Sequence, residues 1–212
     1  MPEYLYDLVQ GTDEWLFERL ASIGGTAIDK IAPGGKQRED LLYDFVGAYI
    51  TQIPSETFKF KFADRGHEIE PEARDRYSFL TDTEVREVGL VRYGPHKHYS
   101  ADGLIGDDGI LEIKVRIPSV FVMAAVKGYT PISLRRQIQW GLYVCDREWA
   151  DYMQYCPELS SKGIPPIIQR IYRDEKPKSK KEEHVTGKDL NEKADKFISE
   201  MLTMVERIKE AA

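Results

Sequence analysis

The chain has 212 residues, 42% of them apolar and 31% charged, which suits one globular domain whose core needs no disulfide or structural metal. Thirty Lys and Arg against thirty-six Asp and Glu leave a net charge of −6. That balance excludes a protein that coats nucleic acid through bulk positive charge, though not one that gathers its positive charge in a groove.

The longest apolar run, 120–126, is far short of the roughly 20 residues that cross a bilayer. The opening MPEYLYDLVQ has none of the basic and apolar regions of a secretory signal, so a cytoplasmic location is expected. In that reducing compartment Cys145 and Cys156 are expected to be free thiols.

In chain order, segment 13–21 sets Trp15, Leu16, Arg19 and Leu20 at helical spacing. A turn through Ser22, Gly24 and Gly25 leads to a short helical stretch. The loop 32–40 then precedes a helix marked by Leu41, Leu42, Phe45, Val46 and Tyr49. Segment 66–80 repeats apolar residues at Ile69, Ala73 and Tyr77, a third helix whose start or kink Pro71 sets. From Thr83 the texture is that of strands. Segments 84–93, 98–105 and 109–116, separated by Gly94-Pro95 and by the turn Gly106-Asp107-Asp108-Gly109, predict a three-stranded antiparallel meander. Helices over 119–128 and 132–144, strands over 149–156 and 166–173, and a charged loop over 174–184 follow. The terminal segment places Leu190, Ala194, Phe197, Ile198, Met201, Val205 and Ile208 on one helical face, which reads as core. This order predicts an α/β fold, a central mixed β-sheet flanked by helices, in a single domain over 1–212.

The chemistry concentrates in 100–114. On the strand 109–116, Leu111, Ile113 and Val115 point to one face, and Glu112, Lys114 and Arg116 to the other. A carboxylate and an ammonium therefore lie about 6.6 Å apart along the strand. A hairpin through 106–109 would fold Asp102 back beside Glu112. Two carboxylates are the usual protein share of a Mg²⁺ site, and a nearby lysine can orient water and offset charge on a reacting phosphate. Glu and Lys flanking an apolar residue commonly mark a solvated strand face. Here, however, 112–114 is the chain's only Glu-x-Lys, while Asp174-x-Lys176 falls in a polar loop.

These residues resemble the phage lambda exonuclease group, the viral recombinase or alkaline exonucleases of the PD-(D/E)xK nuclease superfamily, and the likeness runs from Trp15 to the last helix. Glu14-Trp15-Leu16 with Arg19 and Gly24-Gly25-Thr26 is similar to the family's N-terminal pattern. Gly66 to Ala73, with Glu70 and then Tyr77, is similar to its Gly-x-x-x-Glu-x-x-Ala helix. Ser100-Ala101-Asp102-Gly103 and Glu112-Ile113-Lys114 match the nuclease core, Gln137-Ile138-Gln139-Trp140 its Gln-x-Gln helix, and 151–157 the following strand.

The resemblance implies a restriction-endonuclease-like core. It makes Asp102, Glu112, Glu70 and the backbone carbonyl of Ile113 metal ligands, and Lys114 the residue that positions water. It makes Arg19, Thr26, Ser100 and Gln139, with Gln137 in the same motif, the holders of a 5′-terminal phosphate. The implied activity is Mg²⁺-dependent 5′-to-3′ digestion of double-stranded DNA, with two ions per site and Mn²⁺ as a possible substitute. Mononucleotides would be released and 3′ overhangs left for phage-type recombination. A homotrimeric ring, a single-strand annealing partner and a phage or prophage origin in a bacterial host are implied as well.

Departures are Ala101 for a usual proline, Thr26 for serine, and Val115-Arg116 after the lysine. Pro71 disfavours helical geometry at Glu70, so the sequence does not fix the direction of that carboxylate. The same core also serves structure-specific or restriction-like endonucleases, and a non-catalytic DNA-binding module is a third reading. An iron–sulfur nuclease is disfavoured, because two cysteines cannot supply four thiolates. His96 and His98 form an i, i+2 pair that could bind metal from one strand face, but they read as exposed loop histidines because the carboxylate site prefers a hard ion; Lys30, Lys36, Arg38, Arg135 and Arg136 read as DNA-backbone contacts or solvated charge.

Overall fold

The computed structural model describes residues 1–54, 65–128, 130–176 and 183–211, with only the backbone of 65–67. The first strand, β1 (Glu3–Leu5), is followed by helices α1 (Asp13–Glu18), α2 (Gly25–Ile31), α3 (Lys36–Thr51) and α4 (Arg65–Thr81). Five short strands come next: β2 (Val85–Arg86), β3 (Leu90–Arg92), β4 (His98–Tyr99), β5 (Gly103–Ile105) and β6 (Gly109–Val115). Helices α5 (Pro118–Lys127) and α6 (Ile132–Cys145) cross over to β7 (Trp149–Tyr155). A single turn α7 (Pro157–Ser160), strand β8 (Ile167–Tyr172) and the long α8 (Gly187–Glu210) complete the described chain.

The larger sheet runs β2-β5-β6-β7-β8, with β6 and β7 parallel and the other neighbours antiparallel. The α5–α6 crossover supplies the long connection that a parallel pair requires. A second, antiparallel sheet runs β1-β3-β4. The expected mixed sheet flanked by helices is therefore present, but the expected meander is not. Residues 84–105 are divided between two sheets, with β3 pairing β1 and β4 while β2 pairs β5. Strand-like texture encodes local conformation and not the partner, and the three residues of β1 give too short a pattern to declare themselves.

Both faces of the large sheet are covered. Ile110, Ala150 and Tyr152 join the larger core with Ile28, Phe45, Ile138, Trp140 and Phe197, drawn from α2, α3, α6 and α8. Leu111, Ile113, Met153 and Tyr155 pack on Ala73 and Tyr77 of α4. Side-chain alternation thus puts Glu112 and Lys114 on the same face as Ile110, at the end of the strand where the core gives out. Within α8, Leu190, Ala194, Phe197, Met201 and Val205 are buried, so its apolar face is core.

Other boundaries differ from expectation for local reasons. Helix α3 begins at Lys36, after Gly34 and Gly35 at positive φ, so the loop before it is shorter than 32–40. Helix α4 continues across Pro71 and does not start there. Part of the charged loop, 177–182, lies outside the described residues. Cys145 and Cys156 are both free and buried. Among the described residues, no helix is long and apolar enough to cross a membrane.

Candidate active site

The hairpin through 106–109 forms as expected, with Gly103 opposite Leu111 and Ile105 opposite Gly109. One residue beyond the last pair, the Asp102 carboxylate takes the place of a strand partner: Ile113 N–H donates to Asp102 Oδ2 at 2.5 Å. Amide and carbonyl of one strand residue point the same way, so the Ile113 carbonyl lies on this same edge. Glu112 is 5% exposed. Its Oε1 accepts from Lys114 Nζ, and its Oε2 accepts from Tyr99 O–H at 2.6 Å. The Lys114 side chain, about a third exposed, opens at the mouth of the site.

Glu70 comes from the opposite wall. Arg74 Nη2 donates to Glu70 Oε1 at 2.9 Å while Arg74 Nε donates to the Asp102 carbonyl at 3.0 Å, so one guanidinium ties α4 to the start of β5. Glu70, Pro71, Arg74, Glu87, Ala101 and Asp102 line an open cleft together with 6 and 8–10 of the N-terminal segment. Across Pro71, Glu70 thus lines the same cleft as Asp102.

Burial, reinforced by the charge of Glu112, holds the Asp102 carboxyl well above the usual carboxylate range; Lys114 pulls the other way and Glu70 adds further repulsion. Burial works against the Lys114 ammonium, but Glu112 and Asp102 outweigh it and push its pKa up. Lys114 is therefore a donor and a fixed positive charge. Among the described residues no three His, Cys, Asp or Glu side chains close on one point: Asp102 is turned to Ile113, Glu112 to Tyr99 and Lys114, and Glu70 to Arg74. The donor set fits a hard divalent cation nevertheless. All the candidate donors are oxygens, and the mutual repulsion felt at Asp102 is what such an ion relieves.

The second group of predicted residues surrounds the 22–26 turn. Ile23 forms a parallel bridge with Lys97, which lays the turn beside 96–98. Arg19, the C-terminal cap of α1, lies with its guanidinium 3.9 Å over the Trp15 ring, and its Nε–H donates to His98 Nε2 at 3.1 Å. Burial brings the Arg19 pKa down to about 10, a cost that a bound anion would offset. Thr26 is exposed in the first turn of α2. Ser100 Oγ is buried with no hydrogen-bond partner, an unmet demand of the kind that a ligand satisfies.

The Gln-x-Gln pair separates. Gln137 packs beside Gly25, where an added Cβ would lie 3.5 Å from its Cβ and Cγ. Gln139 is fully buried, donating to the Tyr172 carbonyl at 2.9 Å and accepting from Asp174 N–H at 2.8 Å. Both ends of the Gln139 amide are thus engaged with the backbone at the end of β8 and just beyond it, and Gln137 is the glutamine beside the turn.

Two contributors, Tyr99 and Arg74, were not singled out by sequence, and a third, His98, was read differently. Tyr99 grips Glu112, Arg74 bridges Glu70 to Asp102, and His98 is a buried acceptor, not the loop histidine expected. For His98 and Tyr99 the signal in the sequence is adjacency: they directly precede Ser100-Ala101-Asp102. Arg135, considered as a DNA-backbone contact, is 2% exposed. Arg136 pairs with Asp29 at 3.2 Å, and Arg38 with Glu200 at 2.7 Å.

Comparison with known proteins agrees with this architecture. The alkaline exonuclease LHK-Exo of Laribacter hongkongensis superposes with a TM-score of 0.81 at 23% identity, over 94% of this chain and 97% of that one. Its complex with dAMP gives 0.80 at 22% identity over the same shares. A phage related exonuclease from Haemophilus somnus 129PT gives 0.54 at 13% identity, over 99% of this chain and 98% of that one. No curated protein matches the sequence. The structural likenesses establish a common fold. A family match extends over residues 14–148, from the helix that carries Arg19 through the one that carries Gln137, and by it the chain belongs to the YqaJ-like viral recombinase domain family.

Proposed function

We propose that this chain is a divalent-metal-dependent nuclease that digests duplex DNA from its 5′ ends, releasing mononucleotides and leaving 3′ overhangs. The observation that carries this reading is the 2.5 Å bond from Ile113 N–H to Asp102 Oδ2. It closes the hairpin so that two acids and the Lys114 ammonium share one strand end.

Asp102, Glu112, Glu70 and the Ile113 carbonyl would hold Mg²⁺, two ions per site, with Mn²⁺ as a substitute. The bound metal would activate water and stabilise the leaving oxygen of an in-line displacement. Lys114, held protonated by its acidic neighbours, orients the attacking water and offsets the charge that grows on phosphorus. Tyr99 fixes the Glu112 carboxylate. Arg19, Thr26, Ser100 and Gln137 receive the terminal phosphate, with the guanidinium as its charge partner and the hydroxyls as donors.

The family supports a role in phage-type recombination, and the dAMP complex of LHK-Exo supports a mononucleotide product. A homotrimeric ring would reconcile a net charge of −6 with a polyanionic substrate, by lining an inner channel with positive groups. The 3′ strand would pass to a single-strand annealing protein.

The test is digestion, with Mg²⁺, of end-labelled linear duplex carrying 5′-phosphate or 5′-hydroxyl termini. Mononucleotides from the 5′ strand, faster from phosphorylated ends, are expected. Lys114→Ala should lose turnover while retaining DNA binding. Nicking of a closed circular plasmid would overturn the exonuclease reading, and unchanged turnover in Lys114→Ala would overturn the active site.

A further inference from the structure

We propose that His98 is a positioning residue that fixes the Arg19 guanidinium and so sets the preference for phosphorylated 5′ ends, an inference that rests on the nuclease reading above. Arg19 Nε–H donates to His98 Nε2 at 3.1 Å, so that nitrogen presents its lone pair. The ring proton then sits on Nδ1 and donates to Ser22 Oγ at 2.8 Å. The imidazole is only 2% exposed, and its backbone is held on both sides. His98 N–H donates to the Ile23 carbonyl at 3.0 Å, and the His98 carbonyl accepts from Trp140 Nε1 at 3.1 Å. Burial, with the charge of Arg19, keeps the ring neutral.

This arrangement holds the guanidinium on two sides, its edge on His98 and its face on Trp15, whose own Nε1 donates to the Gly89 carbonyl at 3.0 Å. The choice of acceptor matters. A carboxylate at this position would orient Arg19 and also add a negative charge against it, whereas a neutral imidazole orients it without adding one. Gly24 makes room for the contact, since a Cβ there would stand 2.5 Å from His98 Nε2, the atom that receives the Arg19 bond.

Two polar substitutions separate positioning from mere packing. In His98→Gln the amide reaches the place of Nε2 and still meets Arg19. In His98→Asn it reaches only the place of Nδ1, keeping Ser22 and losing Arg19. The readout is the ratio of digestion rates on 5′-phosphate and 5′-hydroxyl linear duplex, alongside the melting temperature of each variant. His98→Asn should lower the ratio about tenfold, the loss expected for one hydrogen bond to a charged group, and His98→Gln should restore most of it. Ser22→Ala, which frees the ring to tilt, should lower it about threefold on the same scale of bond energies.

Equal ratios in the Asn and Gln variants, a wild-type ratio in Ser22→Ala, or losses that follow melting temperature would overturn the proposal. A wild-type protein with no phosphate preference would instead defeat the functional reading. A preference lost in Arg19→Ala but intact in His98→Asn defeats only this inference.

Discussion

Replacing Tyr99 with Phe removes a single oxygen and asks what the grip on Glu112 is worth. Tyr99 is 4% exposed, and its hydroxyl donates to Glu112 Oε2 at 2.6 Å. The ring is wedged between Gly25 and Gly141, where an added Cβ would approach it to 3.2 and 2.5 Å, so a Phe ring stays in place. Burial and then the charge of Glu112 push the phenol well above its ordinary pKa, so it donates across the whole working pH range. A buried hydrogen bond to a charged group is worth about 1.5–3 kcal/mol. Glu112 keeps Lys114 on its other oxygen, so the lower part of that range applies, about 1.5–2 kcal/mol. If the bond serves to aim the carboxylate, that energy appears as a 10- to 30-fold loss of turnover, at roughly 1.4 kcal/mol per tenfold. The assay is steady-state digestion of 5′-phosphorylated duplex across a range of metal concentrations, with metal-free DNA affinity measured in parallel. Turnover should fall and the metal requirement should rise while DNA affinity is unchanged. Wild-type turnover at wild-type metal concentrations would refute the argument, whatever the melting temperature does.

Three further predictions concern stability and burial. Asp151, 3% exposed, accepts from Arg170 Nε and Nη2, each at 2.8 Å, and from Tyr77 O–H at 2.6 Å. Asp151→Asn should cost about 2–3 kcal/mol in urea denaturation, less than a fully buried pair because Arg170 is half exposed; an unchanged midpoint would show that the network adds nothing. Burial pushes the Cys145 thiol up to about 12 from 9.0, and raises the Tyr77 and Tyr152 phenols from 10.0. The folded chain thus keeps protons that the unfolded chain releases, so stability is intact below those ordinary values and falls as pH rises from about 9 towards 12. Melting temperatures taken across that interval should decline, and alkylation of Cys145 at neutral pH should await unfolding; prompt labelling of the native protein would contradict its burial.

The sequence carried local chemistry well and long-range pairing poorly. The turn at 106–109 and the alternation of 109–116 were enough to put Asp102 beside Glu112 and Lys114, because a hairpin fixes its own register. The division of 84–105 between two sheets was not legible, since β3 takes as its partner a strand some 85 residues earlier in the chain (Leu90↔Leu5), and alternation carries no address. His98 was read as a loop residue because its burial is created by Ile23 and Trp140, neither of them a neighbour in sequence. The glutamines show a different limit. Two residues apart on a helix is about 200° of rotation, so Gln137 and Gln139 cannot face one pocket together. Only the packing of α6 against α2 selects Gln137 for the turn and buries Gln139 under β8. Glu70 is the converse case, where Pro71 made its direction unreadable and Arg74 supplies the anchor.

The central claim, that Asp102 and Glu112 hold a divalent ion on which hydrolysis depends, is tested most directly by Mn²⁺ binding. Free Mn²⁺ can be followed by electron paramagnetic resonance for the wild type, Asp102→Asn and Glu112→Gln, with digestion measured on the same samples. The wild type should bind Mn²⁺ and digest linear duplex. Each amide variant should bind the ion at least about tenfold more weakly, since changing even a second-shell partner of a metal ligand typically costs about 10–100-fold in affinity, and lose digestion with it. Wild-type Mn²⁺ affinity together with full digestion in either variant would contradict the account.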